Sequence, residues 1–204
     1  MSEDSHVTKM KCLALACSPR RGGNTALLAG RALEACRDAG HQIELLQLAD
    51  FNYSPCRACD GCFATGKCVV PDDAGDIFEK ILAADRFIMA APVFSMGICA
   101  QAKMLIDRSQ QFWAARYVLN IPVGEKPDQM RRGMFISCAG TTLPGVFDGT
   151  VRTARYFFKM LGIAPDAVLC YAGVDKKGDI LQHQQAMDEV YRQAQTLGQE
   201  VNIN

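Results

Sequence analysis

With 204 residues, 49% of them hydrophobic, the chain can fill the core of one compact domain, 1–204, and is short for two. Its 22 basic and 22 acidic residues cancel, so no whole-chain positive field favours nucleic acid or anionic lipid, and neither is expected as a partner. The opening MSEDSHVTKMK lacks the basic-then-apolar pattern of a signal peptide, and the longest uncharged apolar run, 87–102, is interrupted by Pro92 and Gly97 and is too short to span a membrane. A soluble, cytoplasmic protein is expected.

Taken in chain order, KCLALAC (11–17) reads as a buried strand and TALLAGRALEACRDAG (25–40) as a helix closed by Gly40. HQIELLQLAD (41–50) alternates like a second strand, a cysteine-rich loop occupies 54–73, AGDIFEKILAAD (74–85) has helical spacing, and RFIMAAPVF (86–94) reads as a fully buried third strand. ICAQAKMLIDRSQQFWAARYVL (98–119) predicts one long helix, and 120–132, with Pro122, Gly124 and Pro127, a surface loop. GMFISCAG (133–140) is a fourth strand, GTVRTARYFFKMLG (149–162) a helix, DAVLCYAG (166–173) a fifth strand and HQQAMDEVYRQAQTLGQEV (183–201) a terminal helix. Five strands alternating with five helices predict an α/β fold, a doubly wound parallel sheet with helices on both faces.

Ligands of such sheets bind at loops leaving the carboxyl ends of the strands. The first of these loops, ACSPRRGGNTA (16–26), has neither a GxGxxG nor a GK[ST] phosphate motif. It still suits phosphate: Gly22 and Gly23 let the backbone curl, the following helix offers free amides, Ser18, Asn24 and Thr25 can donate, and Arg20 supplies charge. A plain helix cap would account for Asn24 but not for the whole set. The second loop, APVFSMGI (91–98), combines a turn with apolar and aromatic residues and suits a planar ring with hydrogen-bonding edges. The third, SCAGTTLPG (137–145), is small and hydroxyl-rich, allowing close backbone approach.

In the loop at 54–73, Cys56, Cys59, Cys62 and Cys68 follow a C-x2-C-x2-C-x5-C spacing. A disulfide clasp, a zinc site, an iron–sulfur cluster and coincidence all compete to explain it; a reducing compartment favours metal or redox chemistry over disulfides.

SPRRGGNT after the first strand, APVFSMG after the third, the helical AKMLIDRS (102–109) and SCAGTT after the fourth, in that order, resemble the FMN-binding flavodoxin-like reductases over nearly the whole chain. Within that group the cysteine spacing is similar to the compact motif of the iron–sulfur flavoproteins. The resemblance implies a five-stranded flavodoxin-like sheet of order 2-1-3-4-5, non-covalent FMN, a [4Fe–4S] cluster on Cys56, Cys59, Cys62 and Cys68, and assembly as a homodimer or homotetramer. It further implies oxidoreductase or electron-transfer activity linked to NAD(P)H or to a ferredoxin-type donor. Carried over, the phosphate loop is Ser18, Arg20, Asn24 and Thr25, and the ring-facing loop is Pro92, Val93, Phe94, Ser95, Met96 and Gly97. Ala139, Gly140, Thr141 and Thr142 form the third.

A cubane needs four soft thiolates, and two-residue spacers let three neighbouring cysteines turn inward while Gly66 brings Cys68 back. Zinc sites more often separate two cysteine pairs by a longer loop. A loop with its thiols but without a cluster is the remaining rival, and it leaves a clusterless NAD(P)H-dependent FMN or quinone reductase; a non-enzymatic electron carrier is a third alternative. Cys12, Cys36, Cys99 and Cys170 read as buried small hydrophobes, while Cys17 and Cys138, at strand ends near the expected flavin, are no more than candidates for redox thiols. His6, His41 and His183 read as surface residues, Asp72, Asp73 and Asp76 as acids at a helix start, and Phe112, Trp113 and Tyr117 as core or interface. No acid–base catalytic side chain is required, because a flavin carries the chemistry.

Overall fold

The computed structural model describes residues 9–127 and 130–199. His6, positions 128–129 of the expected surface loop, and positions 200–201 of the expected last helix lie outside them.

Five parallel strands form the sheet: β1 (Lys11–Ala16), β2 (Gln42–Gln47), β3 (Arg86–Phe94), β5 (Arg132–Ala139) and β6 (Ala164–Ala172), in the order β2-β1-β3-β5-β6. This is the expected flavodoxin-like order with one addition, a two-residue strand β4 (Gly97–Ile98) that folds back antiparallel on the end of β3. The first six residues of β3 are all buried, as a central strand covered on both faces must be.

Helices cover both sides. On one, α1 (Asn24–Asp38) and α6 (Gln184–Leu197) pack over Cys12, Ala14, Ile88, Met134 and Ile136. On the other, α2 (Ala74–Ala83), α3 (Ala100–Arg108), α4 (Gln110–Tyr117) and α5 (Asp148–Leu161) pack over Leu13, Leu15, Phe87, Met89 and Phe135. The strands' alternation sends successive side chains to opposite cores. No helix among the described residues is long and apolar enough to cross a membrane.

Two expectations change. The helix expected over 98–119 is two helices broken at Ser109, where the Ser109 amide donates to Ile106 O at 2.9 Å and tightens the last turn of α3. The break lets Arg108 turn inward, where it is 2% exposed. His41 is buried, not superficial: Nε2 lies 2.8 Å from Gly198 O, and Nδ1 accepts the Met10 amide at 3.5 Å. It pins the end of α6 to the start of the sheet. His183 is exposed, as expected, just before α6.

Candidate functional site: a cleft at the strand ends and a thiol pocket beside it

The cleft forms where the chain leaves β1, β3, β5 and β6 at the same edge of the sheet. After β1 the chain turns at Gly22 (φ 62°), and the Gly23 amide donates to Arg20 O at 3.1 Å. A Cβ at Gly23 would sit 3.0 Å from that carbonyl, so a side chain there would press on the turn. Helix α1 then begins with no side-chain cap and no acid in its first turn, leaving first-turn amides and the positive end of its dipole for an anion. Thr25 in that turn is 2% exposed, and its hydroxyl oxygen has no partner among the described residues. A buried hydroxyl left without a hydrogen bond is costly, and its position beside the amides fits an acceptor oxygen brought by a ligand.

Ser18, Arg20, Gly23, Asn24 and Thr25 line this cleft together with Pro92, Val93, Phe94, Cys138, Gly140, Val174 and Asp175. The structure thus gathers residues of all three expected loops and adds a fourth, after β6. Its enclosed space is about 70 Å³, and Phe94, 46% exposed, stands on the open side.

Several expected residues sit differently. The Asn24 carboxamide is engaged with the loop after β6: Nδ2 donates to Lys176 O at 2.9 Å, and Oδ1 accepts the amides of Gly178 at 2.9 Å and Ile180 at 3.4 Å. It braces a wall of the cleft. Arg20 Nη1 donates to Asp175 O at 3.1 Å, bridging the same two loops, and Ser18 Oγ accepts the Arg20 amide at 3.1 Å. Ser95, Met96 and Gly97 form the tip of the β3–β4 hairpin, outside the cleft lining, with φ of 49° at Ser95 and 64° at Met96. Ala139 is buried behind the cleft, where its carbonyl accepts the Val174 amide at 2.9 Å; Thr141 and Thr142 are exposed, Thr141 Oγ1 accepting the Leu143 amide at 3.2 Å. A Cβ at Gly140 would come 2.8 Å from Asp175 Oδ1, so a side chain there would have to displace the Asp175 carboxylate.

Val174 and Asp175 were missed, although GVDKKGD after the fifth expected strand leaves the same sheet edge and carries two glycines with positive φ, Gly173 (74°) and Gly178 (90°). Cys138 lines the cleft, but burial pushes its thiol up to about 12, and burial pushes the Cys17 thiol well above its ordinary value. In both, burial favours the neutral thiol over the thiolate.

The cysteine loop, 54–73, is irregular except for one short turn at Gly61–Phe63. Its four cysteines line one pocket with Arg108 and Gln111. Gly66, with φ 74°, reverses the chain toward Cys68, and a Cβ there would meet Ala115 Cβ at 3.0 Å. The Cys62 thiol is pushed up, first by burial and then by its neighbours Cys68, Cys56 and Cys59. The exposed Cys59 thiol is held down, first by the Gly61 amide and then by Arg57. Among the described residues no group of three or more histidine, cysteine or acidic side chains is placed to hold a metal ion. Four thiols lining one pocket are the donor set that a cubane takes, one thiolate to each of four irons.

Asp72 is more than a helix-start acid. Its carboxylate pairs with Arg108 Nη1 at 2.8 Å and accepts the amides of Ser54 at 3.0 Å and Ala74 at 3.2 Å, which clamps both ends of the cysteine loop. Trp113 packs between Phe63 of that loop, at 6.0 Å, and Tyr117, at 5.9 Å, while Phe112 meets Phe78 edge-on at 4.9 Å in the core.

An iron–sulfur flavoprotein of Methanocaldococcus jannaschii is 43% identical over 101 residues, 50% of this chain and 52% of that protein. An iron–sulfur flavoprotein of Methanosarcina thermophila is 36% identical over 115 residues, 56% of this chain and 60% of that one. The chain therefore spans little more than half the length of these curated relatives. An NAD(P)H:quinone oxidoreductase from Methanothermobacter marburgensis shares the fold at a TM-score of 0.66 and 17% identity, over 95% of this chain and 100% of that one. The family described as NADPH-dependent FMN reductase matches residues 10–204. With nearly the whole chain matched and the family's sheet order in place, this protein belongs to the NADPH-dependent FMN reductases, a flavodoxin-like family of FMN-dependent oxidoreductases.

Proposed function

We propose that the chain binds FMN in the strand-end cleft and couples hydride or single-electron transfer at the flavin to a [4Fe–4S] cluster held by Cys56, Cys59, Cys62 and Cys68. The observation that carries the flavin site is the unpartnered, buried Thr25 hydroxyl beside the open amides of α1, in a cleft lined by three independently expected loops. The enclosed part is well below the roughly 300 Å³ of a pocket that engulfs a ligand, which suits a seated phosphate with the ring lying over Pro92, Val93 and Phe94. FMN, when bound, supplies both two-electron and one-electron chemistry. The chain's own part is to hold the phosphate with amides, Thr25, Ser18 and Arg20.

NAD(P)H is the proposed hydride donor, with a ferredoxin-type protein as the alternative donor, in a cytoplasmic homodimer or homotetramer. Exposed Phe94, Met96, Leu143 and Tyr117 supply apolar surface for such an assembly. The cysteine pocket supports the cluster by its donor set and spacing, and the names of the relatives agree with it.

Anaerobic purification tests both cofactors. The protein is expected to be brown, with about four irons and four sulfides per chain and one FMN, and Cys59→Ala should lose iron while keeping FMN. Yellow, iron-free protein that stays so after reconstitution with iron and sulfide leaves the clusterless NAD(P)H-dependent reductase. Steady-state oxidation of NAD(P)H separates an enzyme from an electron carrier, which would show almost none without a partner reductase.

A further inference from the structure

Arg108, the last residue of α3, is 2% exposed and turned entirely into the cysteine loop. Its guanidinium donates from Nη1 to Asp72 Oδ2 at 2.8 Å and to Ser54 O at 2.9 Å, and from Nη2 to Val70 O at 3.2 Å. The remaining contact differs in kind: Nε donates to Cys68 Sγ at 3.2 Å. Asp72 compensates the buried charge, and the carbonyls alone would suffice to brace the loop. A neutral thiol is a weak acceptor, whereas an ionised group receives a charge-assisted bond roughly twice as strong. A rigid, buried N–H aimed at sulfur is therefore best matched to a metal-bound thiolate.

We infer that Arg108 is a positioning residue for the cluster proposed above, on which this inference rests: it orients Cys68 as a ligand and raises the cluster's reduction potential through the Nε–H···Sγ bond. A one-electron reduction adds negative charge shared with the ligand sulfurs, and hydrogen bonds to those sulfurs are among the determinants of the potential. The planar fork matters, because it alone places an N–H on Cys68 while the other nitrogens hold Asp72, Ser54 and Val70. Lysine offers a point charge on a flexible stem and cannot reproduce it. Gln111, whose Oε1 accepts the Cys68 amide at 3.0 Å, fixes the backbone of the same ligand from the neighbouring helix.

The test uses the full chain with FMN, reconstituted anaerobically with iron and sulfide, and titrated with dithionite while the reduced cluster is followed by electron paramagnetic resonance. Arg108→Gln should keep FMN and iron, and its cluster should be at least about fivefold harder to reduce, a negative shift of about 40 mV at 59 mV per tenfold for a one-electron couple. Arg108→Lys, which keeps the cation, should shift in the same direction, and both should lose the exchangeable-proton coupling that the N–H gives the wild-type signal. Unmoved potentials in loaded variants overturn the assignment. If the Gln variant does not fold, the Lys variant decides by the same criterion. Loss of iron with unchanged FMN content and unchanged melting of the metal-free protein supports the positioning role; loss of iron with a lowered melting temperature marks Arg108 as a structural brace and overturns it. Wild-type protein that takes up no iron overturns the cluster reading and this inference with it, whereas loaded wild type with unmoved variants overturns this inference alone.

Discussion

Thr25 sits in the first turn of α1 with its hydroxyl buried and unpartnered. That state costs stability, and in the proposed site an anion would relieve it, since hydrogen bonds to charged groups contribute roughly 1.5–3 kcal/mol. Thr25→Val keeps the shape and removes the hydroxyl, so two opposite effects are expected. FMN affinity, followed by flavin fluorescence quenching, should fall about tenfold to a hundredfold, while the melting temperature of the FMN-free protein should hold or rise. Unchanged affinity would move the phosphate elsewhere. Asn24, next in line, has a different task. Asn24→Ala should destabilise the protein by roughly 1–3 kcal/mol, because three hydrogen bonds to residues 176–180 are lost. Hydrogen exchange there should speed up, which a residue serving only as a phosphate donor would not cause.

Among the elements, the β3–β4 hairpin carries visible strain. Ser95 and Met96 both have positive φ, the backbone of a two-residue turn that normally takes Asn-Gly. A left-handed non-glycine residue costs roughly 1–2 kcal/mol, partly offset on substitution by the greater freedom of glycine in the unfolded chain. Met96→Gly is therefore expected to raise the urea-unfolding stability of the FMN-free protein by about 0.5–1 kcal/mol. A loss would mean that Met96 makes contacts worth more than the strain. The tip also meets α5 closely, since a Cβ at Gly149 would come 3.1 Å from Met96 O, and a side chain there should displace the hairpin and with it Phe94.

For the whole molecule, acid sensitivity follows from two carboxylates that join distant segments. Burial raises the Asp72 carboxyl, but Arg108 and the amides of Ser54 and Ala74 outweigh it and hold the group below its ordinary value. Asp85 is likewise raised by burial and lowered further by the Lys11 amide and Lys126. A carboxyl depressed in the folded state stabilises it above the unfolded value, near pH 4, and that contribution is lost as pH falls through the folded value. Cluster-free protein should therefore lose stability below about pH 4. Asp72→Asn should be less stable at pH 7 and show a flatter acid limb in urea unfolding between pH 3 and 7. An unaltered limb would show that Asp72 is not coupled to folding.

Hydrophobic period and turn residues were enough to read five strands in order, RFIMAAPVF coinciding with β3, because local patterns decide which residues can share a buried face. Strand-end position and glycine content likewise pointed to Ser18, Arg20, Thr25, Pro92, Val93, Phe94 and Gly140, all of which line the cleft. The features that stayed hidden are pairings across long stretches of chain: Asn24 with the loop after β6, His41 with Gly198, Arg108 with Asp72 and Cys68. A side chain's partners depend on which elements the sheet order brings side by side, and no local spacing carries that information. Helical spacing alone made 98–119 one helix; only the packed molecule shows the break at Ser109 and the burial of Arg108 among its acceptors in the cysteine loop.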